Sequence, residues 1–386
     1  MNNPAVSGLL RLTLARACAW ALLITGWIGI GSLALRLAPT VTTGFALVAL
    51  WLFALGAAAT VATRGGLPRR VRALALVAGA IFTGGGLLAT QHNADLPALG
   101  AALLGWAALT ALASGVVRGL RQSQPVPPGP PIVAASLGAL SAGLVLGDVG
   151  DLTTLAVRLA GFVGAVVLVL LVLQRRIDAK PRAPGCRAGL FDCSLPAWPA
   201  GAWRDTAQWP TLLAGLAMLP MMAALPLMAD WCRALAFPPQ AMVLLHLAAM
   251  FGPALLLRRS IAHWSLRTLS TVCAVLLILG AACAIWAAAP FDLLGLAVAH
   301  GAAWGLAWAG QLWAPARRGQ QGASPLRAAA GYALLTLAFG LIVQQAGARG
   351  VADVHAALGI AAALAWVIGE FVKVWSRETV TRRRVP

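Results

Sequence analysis

Twelve long apolar stretches separated by short polar connections leave this chain one kind of environment to fold in. They lie near residues 17–37, 40–62, 71–90, 96–117, 132–149, 152–174, 211–232, 239–257, 266–288, 291–314, 326–345 and 353–375. Most come close to the roughly 20 residues an α-helix needs to cross a hydrocarbon layer about 30 Å thick. Hydrophobic residues make up 60% of the chain and charged residues 10%, so a water-soluble domain would lack the polar surface to cover itself. In lipid each segment must satisfy its own backbone, which selects helices. The expected fold class is therefore an all-α polytopic membrane protein. The first stretch is long enough to span and lacks a small-residue cleavage site, so no cleavable leader is expected.

A net charge of +18 does not point to nucleic acid, because the basic residues stand singly or in pairs between apolar stretches. Their placement reads as topology. With both termini inside, all but four of the 29 Lys and Arg fall on the inner side, the exceptions being Arg36, Arg158, Arg233 and Arg349. Short outer connections carry Asp95, Asp148, Asp151, Asp230, Asp292 and Asp353, an acidic vestibule that would attract cations. One inner connection is much longer than the rest and divides the spans six and six. The expected division is a six-helix half over 1–174, a cytoplasmic linker over 175–210 and a second half over 211–386. Trp198, Trp203 and Trp209 suit a linker lying against headgroups, and Cys186 and Cys193 within it read as reduced thiols rather than a zinc site.

Candidate functional residues concentrate in the seventh and eighth spans. Apart from Met1, every methionine lies between Met218 and Met250. Met218 with Met222, and His246 with Met250, are each spaced i,i+4, which puts both members of a pair on one helix face. Thioether sulfur is a soft ligand suited to Cu(I), and imidazole also suits copper. A rise of about 1.5 Å per residue puts Met222 and Met250 at nearly one depth, with His246 nearer the outer surface and Met218 nearer the inner. Such a ladder would carry copper as a transported substrate, with no tightly bound cofactor. The competing reading is that methionine fills irregular core gaps.

Cys232 stands at the outer end of this path, and Pro220 and Pro226 are expected to bend the seventh span. Two further features point to a different cargo. Arg158, about six residues into the sixth span, would favour an anionic organic solute if it faced the interior. His300, Trp304 and Trp308 form an i, i+4, i+8 stripe in the tenth span with Gln311 below, a surface able to stack a flat ring. His92, His263 and His355 are placed at span ends or in loops. Glu370 is expected near Lys373 and Arg377, so no carboxylate sits near a predicted bilayer centre. Enzyme signatures are missing: there is no nucleophile elbow, phosphate-binding glycine loop or His-Glu-x-x-His helix.

The six-plus-six plan, inner termini and a basic loop after the second span resemble the major facilitator superfamily. Its members often carry Gly-x-x-x-Asp-Arg-x-Gly-Arg-Arg in that loop. Here Arg64 and Gly66 match, Arg69 and Arg70 follow after two extra residues, and Thr63 replaces the acid. The resemblance implies twelve transmembrane helices in two pseudo-symmetric halves that work by alternating access. Met-x-x-x-Met in the seventh span followed, 24 residues after Met222, by His-x-x-x-Met in the eighth is similar to the CcoA-type copper importers. That resemblance implies copper import across the bacterial inner membrane for haem-copper oxidase assembly, with Met218, Met222, His246 and Met250 as ligands and a downstream copper chaperone as partner. The alternatives are a major facilitator carrier of an anionic or aromatic, riboflavin-like organic solute, or a proton-coupled efflux carrier.

Overall fold

A computed structural model describes residues 4–64, 67–91, 96–123, 131–146, 152–175, 208–261, 263–286, 289–318, 325–347 and 349–382. Among them every regular element is a helix. In the first half these are α1 (Pro4–Thr25), a π-helical turn (Gly26–Ile30), α2 (Gly31–Leu37), α3 (Val41–Arg64), α4 (Arg69–Ala89), α5 (Leu96–Ser123), α6 (Pro131–Leu146) and α7 (Leu152–Gln174). In the second they are α8 (Trp209–Ala234), α9 (Pro239–Leu256), α10 (Arg258–Ile261), α11 (Leu266–Trp286), α12 (Pro290–Arg318), α13 (Pro325–Ala346) and α14 (Arg349–Arg382). Each predicted span meets a helix. Ten have the length and hydropathy to cross a membrane, and α6 with 16 residues and α8 with 26 occupy the other two predicted positions. The chain is a multi-pass membrane protein.

The helices overrun the predicted spans where the polar flanks are good helix formers. The first begins at Pro4 rather than near 17, and α14 continues to Arg382. Arg11, Arg16 and the basic tail end the apolar window without ending the helix, because arginine has high helix propensity. Pro220 and Pro226 do not interrupt α8, whose assignment is continuous from Trp209 to Ala234. Their side chains, like Met221, lie outside the described residues.

Helix α8 stops in a Schellman turn. Phe237 N–H bonds to Cys232 O at 2.8 Å and Ala236 N–H to Arg233 O at 3.0 Å, with Ala236 in the left-handed region at φ 54°. Pro238 and Pro239 then start α9, where a missing N–H costs nothing.

Helices pack both within and between the stretches 4–174 and 208–382. α1 packs on α6 and α5, α3 on α5, and α4 on α5 and α7; in the second half α12 packs on α9 and α11, and α11 on α14. Between these groups contacts run chiefly along α3–α13 and α6–α9, with α2 and the π turn against α8. The long connection that would join the halves falls on 176–207, outside the described residues.

Burial separates central from peripheral helices. In the span Val6–Leu37 94% of the apolar core window is buried, in Pro290–Gly310 78% and in Leu96–Leu120 61%, against 44% or less in the other seven. Leu74, Ile81, Phe82, Leu168, Leu334 and Phe371 on peripheral helices are exposed, as lipid-facing side chains should be. The first, fourth and tenth spans therefore line the interior, and α8 joins them by packing against α2, the π turn, α9, α11, α12, α13 and α14.

Candidate functional site

The π turn in the first span is built around Gly26. A side chain there would run into Trp106 Nε1 at 2.5 Å and Trp51 Cζ2 at 3.0 Å, so only glycine lets both indoles close on the helix. Trp106 Nε1 donates to Leu22 O at 2.7 Å, taking a carbonyl from the helical ladder just before the turn widens. An inserted side-chain donor and a π turn are recognised ways of interrupting the i→i−4 ladder, and such turns gather at functional sites. Trp27, inside the turn, tilts against Trp51 with ring centroids 6.3 Å apart. Both indoles are buried, yet Trp27 Nε1, Trp51 Nε1 and the neighbouring Thr25 Oγ1 have no hydrogen-bond partner among the described residues.

On the opposite side α9, α12 and α14 bring three buried histidines into a track. His246 Nδ1 lies 2.7 Å from Ala297 O, and His355 Nδ1 lies 3.1 Å from Val351 O. A carbonyl can only accept, so both Nδ1 atoms donate. His355 Nε2 sits 3.0 Å from His300 Nδ1, with ring centroids 4.5 Å apart and planes nearly perpendicular. In the neutral pair His300 Nδ1 donates to His355 Nε2, which leaves the lone pair on His300 Nε2. That atom is buried and has no partner. The His246 ring is 6.2 Å from the His300 ring, and a side chain on Gly301 would meet His246 O and Nδ1.

Trp27, Trp51 and His300 share one level. Trp27 is ten residues before Leu37, Trp51 ten after Val41 and His300 ten after Pro290, the ends of their helices on the predicted outer side. At about 1.5 Å per residue each is about 15 Å deep, half the hydrocarbon thickness. Contacts between the halves lie on either side of this level. Towards the predicted inner side Trp20 of α1 meets Trp308 at 5.1 Å and Phe251 at 5.9 Å, both edge to face. Phe251 also meets Trp304 at 5.8 Å, and Trp304 stacks parallel to Trp308 at the same spacing. Towards the outer side Arg36 pairs with Asp230 at 3.2 Å, Arg233 joins the same carboxylate, and Thr42 N–H bonds to Gln344 Oε1 at 3.2 Å.

The predicted residues fall unevenly on this frame. Met218, Met222, His246 and Met250 are all buried, and Gly305 brings α12 hard against the Met250 backbone. His246 bonds to Ala297 O of α12, and its ring lies beside His300, which bonds to His355 of α14. Cys232 donates to Met242 Sδ at 3.0 Å. His300, Trp304 and Trp308 keep the predicted stripe and are buried, while the side chain of Gln311 lies outside the described residues.

Two expectations are corrected. Arg158 is exposed on α7 and does not line the interior, because its helix turns that face outward. His355, assigned to a span end, is buried and bonded to His300, because α14 begins at Arg349 and puts it in the second helical turn. Glu370 pairs with Arg267 of α11 across the helix packing, and the side chains of Lys373 and Arg377 lie outside the described residues. Arg69 and Arg70 open α4 and are exposed; the side chain of Arg64, with Gly66, Asp148, Asp151, Cys186 and Cys193, lies outside the described residues.

Sequence reasoning missed Trp27, Trp51 and Thr25. A Thr-Gly-Trp string at the middle of the first span was the available signal. Among the described residues no three His, Cys, Asp or Glu converge as a metal site.

No family model and no curated protein matches the chain. Solved structures do: the nucleoside transporter NupG superposes with a TM-score of 0.61 at 15% identity, covering 96% of this chain and 99% of its own. A point mutant of that transporter gives 0.60 at 14% identity, covering 94% and 99%. The chain has the major facilitator fold. The likeness carries that fold and stops short of the copper-importer branch.

Proposed function

We propose that the protein is a secondary transporter of small organic solutes that carry a flat heteroaromatic ring. The observation that supports this best is the midplane tier of indoles and imidazoles between two sets of contacts joining the halves. Trp20, Trp304, Trp308 and Phe251 offer ring faces, and His300 offers an unpaired lone pair one helical turn from Trp304. Stacking would hold the ring and the polar atoms would fix its edge. A nucleoside, the cargo named for the structural neighbour, is one such solute. Alternating access would open the Arg36–Asp230 side or the Trp20–Trp308 side in turn, each releasing contacts described above. The protein would sit in the bacterial cytoplasmic membrane with both termini inside, as the arginine distribution demands.

Copper is the second reading, favoured by one observation. A metal-ligating histidine usually donates its other ring N–H to a carbonyl, and His246 does this through Nδ1 to Ala297 O, leaving Nε2 for a ligand. Met218, Met222 and Met250 would then supply thioethers, and a copper chaperone would receive the ion inside.

The test is uptake into proteoliposomes of uridine, guanosine, riboflavin and, with reductant, Cu(I). On the organic reading at least one ring-bearing solute is taken up saturably by the wild type, and Trp304→Leu lowers that uptake roughly fivefold, the loss of a stacking contact worth about 1 kcal/mol. Copper uptake alone, abolished by Met222→Leu or His246→Leu, would replace it with the second reading.

A further inference from the structure

Few groups in the helix interior can take up a proton near neutral pH. The carboxylates whose side chains are described are Asp230, Asp292, Asp353 and Glu370, and none of them is buried. Among the described buried side chains imidazole is the one base that titrates in that range, on His246, His300 and His355. Ionisable groups inside membrane helices mark ion paths and proton relays by default. Two of these three are bonded to each other: His355 Nε2 meets His300 Nδ1 at 3.0 Å, and the far side of the His355 ring is tied through Nδ1 to Val351 O at 3.1 Å. A lone imidazole offers one proton position; a bonded pair backed by a carbonyl offers one that two rings share. His355 stands six residues after Arg349 and His300 ten after Pro290, about 9 Å and 15 Å from the predicted outer ends of their helices, so the pair reaches from the outer third to the midplane.

We propose that the His300–His355 pair is a proton site that takes up one proton in each transport cycle and couples solute movement to a proton gradient. It rests on the carrier reading and adds what drives the carrier. In the neutral pair the ring protons are on His300 Nδ1 and His355 Nδ1. A proton from water on the outer side adds to the lone pair of His300 Nε2, and the Nδ1 proton of His300 crosses the hydrogen bond to His355 Nε2. The result is a neutral His300 protonated at Nε2 and a cationic His355 that donates to His300 Nδ1 and Val351 O. The charge thus rests on the ring with two acceptors already in place, as charge-assisted bonds favour. Release on the inner side reverses both transfers. A second proton is opposed, because it would set like charges on rings 4.5 Å apart. Both helices of the pair pack on α8, which meets α2 and the π turn of the first half, so a change of charge here lies one helix from the contacts between the halves. The ionisable groups on the helices packed against the pair leave it the interior base. His246 of α9 is tied to Ala297 O, and Cys232 of α8 and Cys273 and Cys283 of α11 are thiols. Asp230 is held by Arg36 and Arg233, Asp353 by Arg349, and Asp292 by the Ala289 N–H, while on α13 Tyr332 and Arg327 stand towards the predicted inner end.

The experiment is uptake of radiolabelled uridine, guanosine and riboflavin by proteoliposomes of the full-length protein, with the membrane potential clamped. Each solute is measured under an inward gradient of about one pH unit and, without a gradient, as exchange of labelled for unlabelled solute, which needs no net proton movement. At one proton per solute the wild type should accumulate its solute roughly tenfold over the equilibrium level, the factor carried by one pH unit. In His355→Gln the amide oxygen can still accept from His300 Nδ1 but the side chain takes no proton, so accumulation relative to exchange should fall to the equilibrium level. His355→Asn repeats the test if that variant does not yield working protein. A pH dye trapped in wild-type vesicles should also report acidification when solute is added outside. Accumulation that persists in the working variant would put the proton elsewhere and overturn the site. Wild-type exchange with neither accumulation nor acidification would overturn the coupling while the carrier reading stands. Exchange of none of the three solutes would overturn the carrier reading and the coupling with it.

Discussion

The two halves meet the same midplane with opposite chemistry. The first half presents indole and hydroxyl donors around a distorted helix, held in place by Gly26 and the Trp106–Leu22 bond. The second presents imidazoles on regular helices, with each Nδ1 tied down and a lone pair left on His300 Nε2. Two pseudo-symmetric halves thus need not line a cavity symmetrically. One half can offer donors and the other acceptors, and a ligand with both edges would be read only when the halves face each other. Substitutions can break that comparison in order of expected effect.

Trp20 is one of the aromatic bridges between the halves, and Trp20→Ala removes its contacts with Trp308 and Phe251 together. Truncating a buried tryptophan costs about 3–5 kcal/mol. Thermal melting of the detergent-purified protein should fall accordingly, and uptake should fall with it. Next in size is His355→Phe, which keeps ring volume but leaves His300 Nδ1 without its partner; the expected loss is about 1–3 kcal/mol. Solute affinity in the same variant should drop as well, because His300 loses the bond that fixes its tautomer. Affinity unchanged in folded His355→Phe would show that the histidine side is structural and would reduce the comparison to the first half alone.

Smaller effects sharpen the choice of cargo. Met222→Leu conserves volume in a buried site and should cost under about 1.5 kcal/mol. On the organic reading it also leaves uridine uptake near wild type, whereas on the copper reading it removes a ligand. Arg36→Gln should change stability by at most about 1 kcal/mol, since the pair with Asp230 is partly exposed. Cysteine labelling at position 344 from the predicted outer side should nevertheless become faster, because the Arg36–Asp230 pair and the Thr42–Gln344 bond close the same end.

The positions of the spans were legible because helix length against bilayer thickness is a one-dimensional property of the chain. The stripe of His300, Trp304 and Trp308 was legible for the same reason: i,i+4 spacing is set by one helix. What escaped the sequence needed partners from other helices. His355 reads as a terminal residue until α14 is seen to start at Arg349, and its bond to His300 crosses 55 positions. The π turn depends on Trp106, 84 positions from the carbonyl it takes, so nothing within Gly26–Ile30 alone announces it. The facing of Arg158 was likewise a tertiary question. Its depth could be counted, but its outward orientation is set by which side of α7 packs on α4 and α1. Methionine clustering was visible along the chain, and yet the strongest tie of His246 is to Ala297 of α12.

The most direct measurement of the central claim is saturable uridine binding to the purified wild type, Trp20→Leu and His300→Leu, side by side. The account predicts binding in the wild type that is weakened by the substitution in each half, since both halves hold one solute together. Binding weakened by neither substitution, or a protein that binds Cu(I) and no heterocycle, would contradict it.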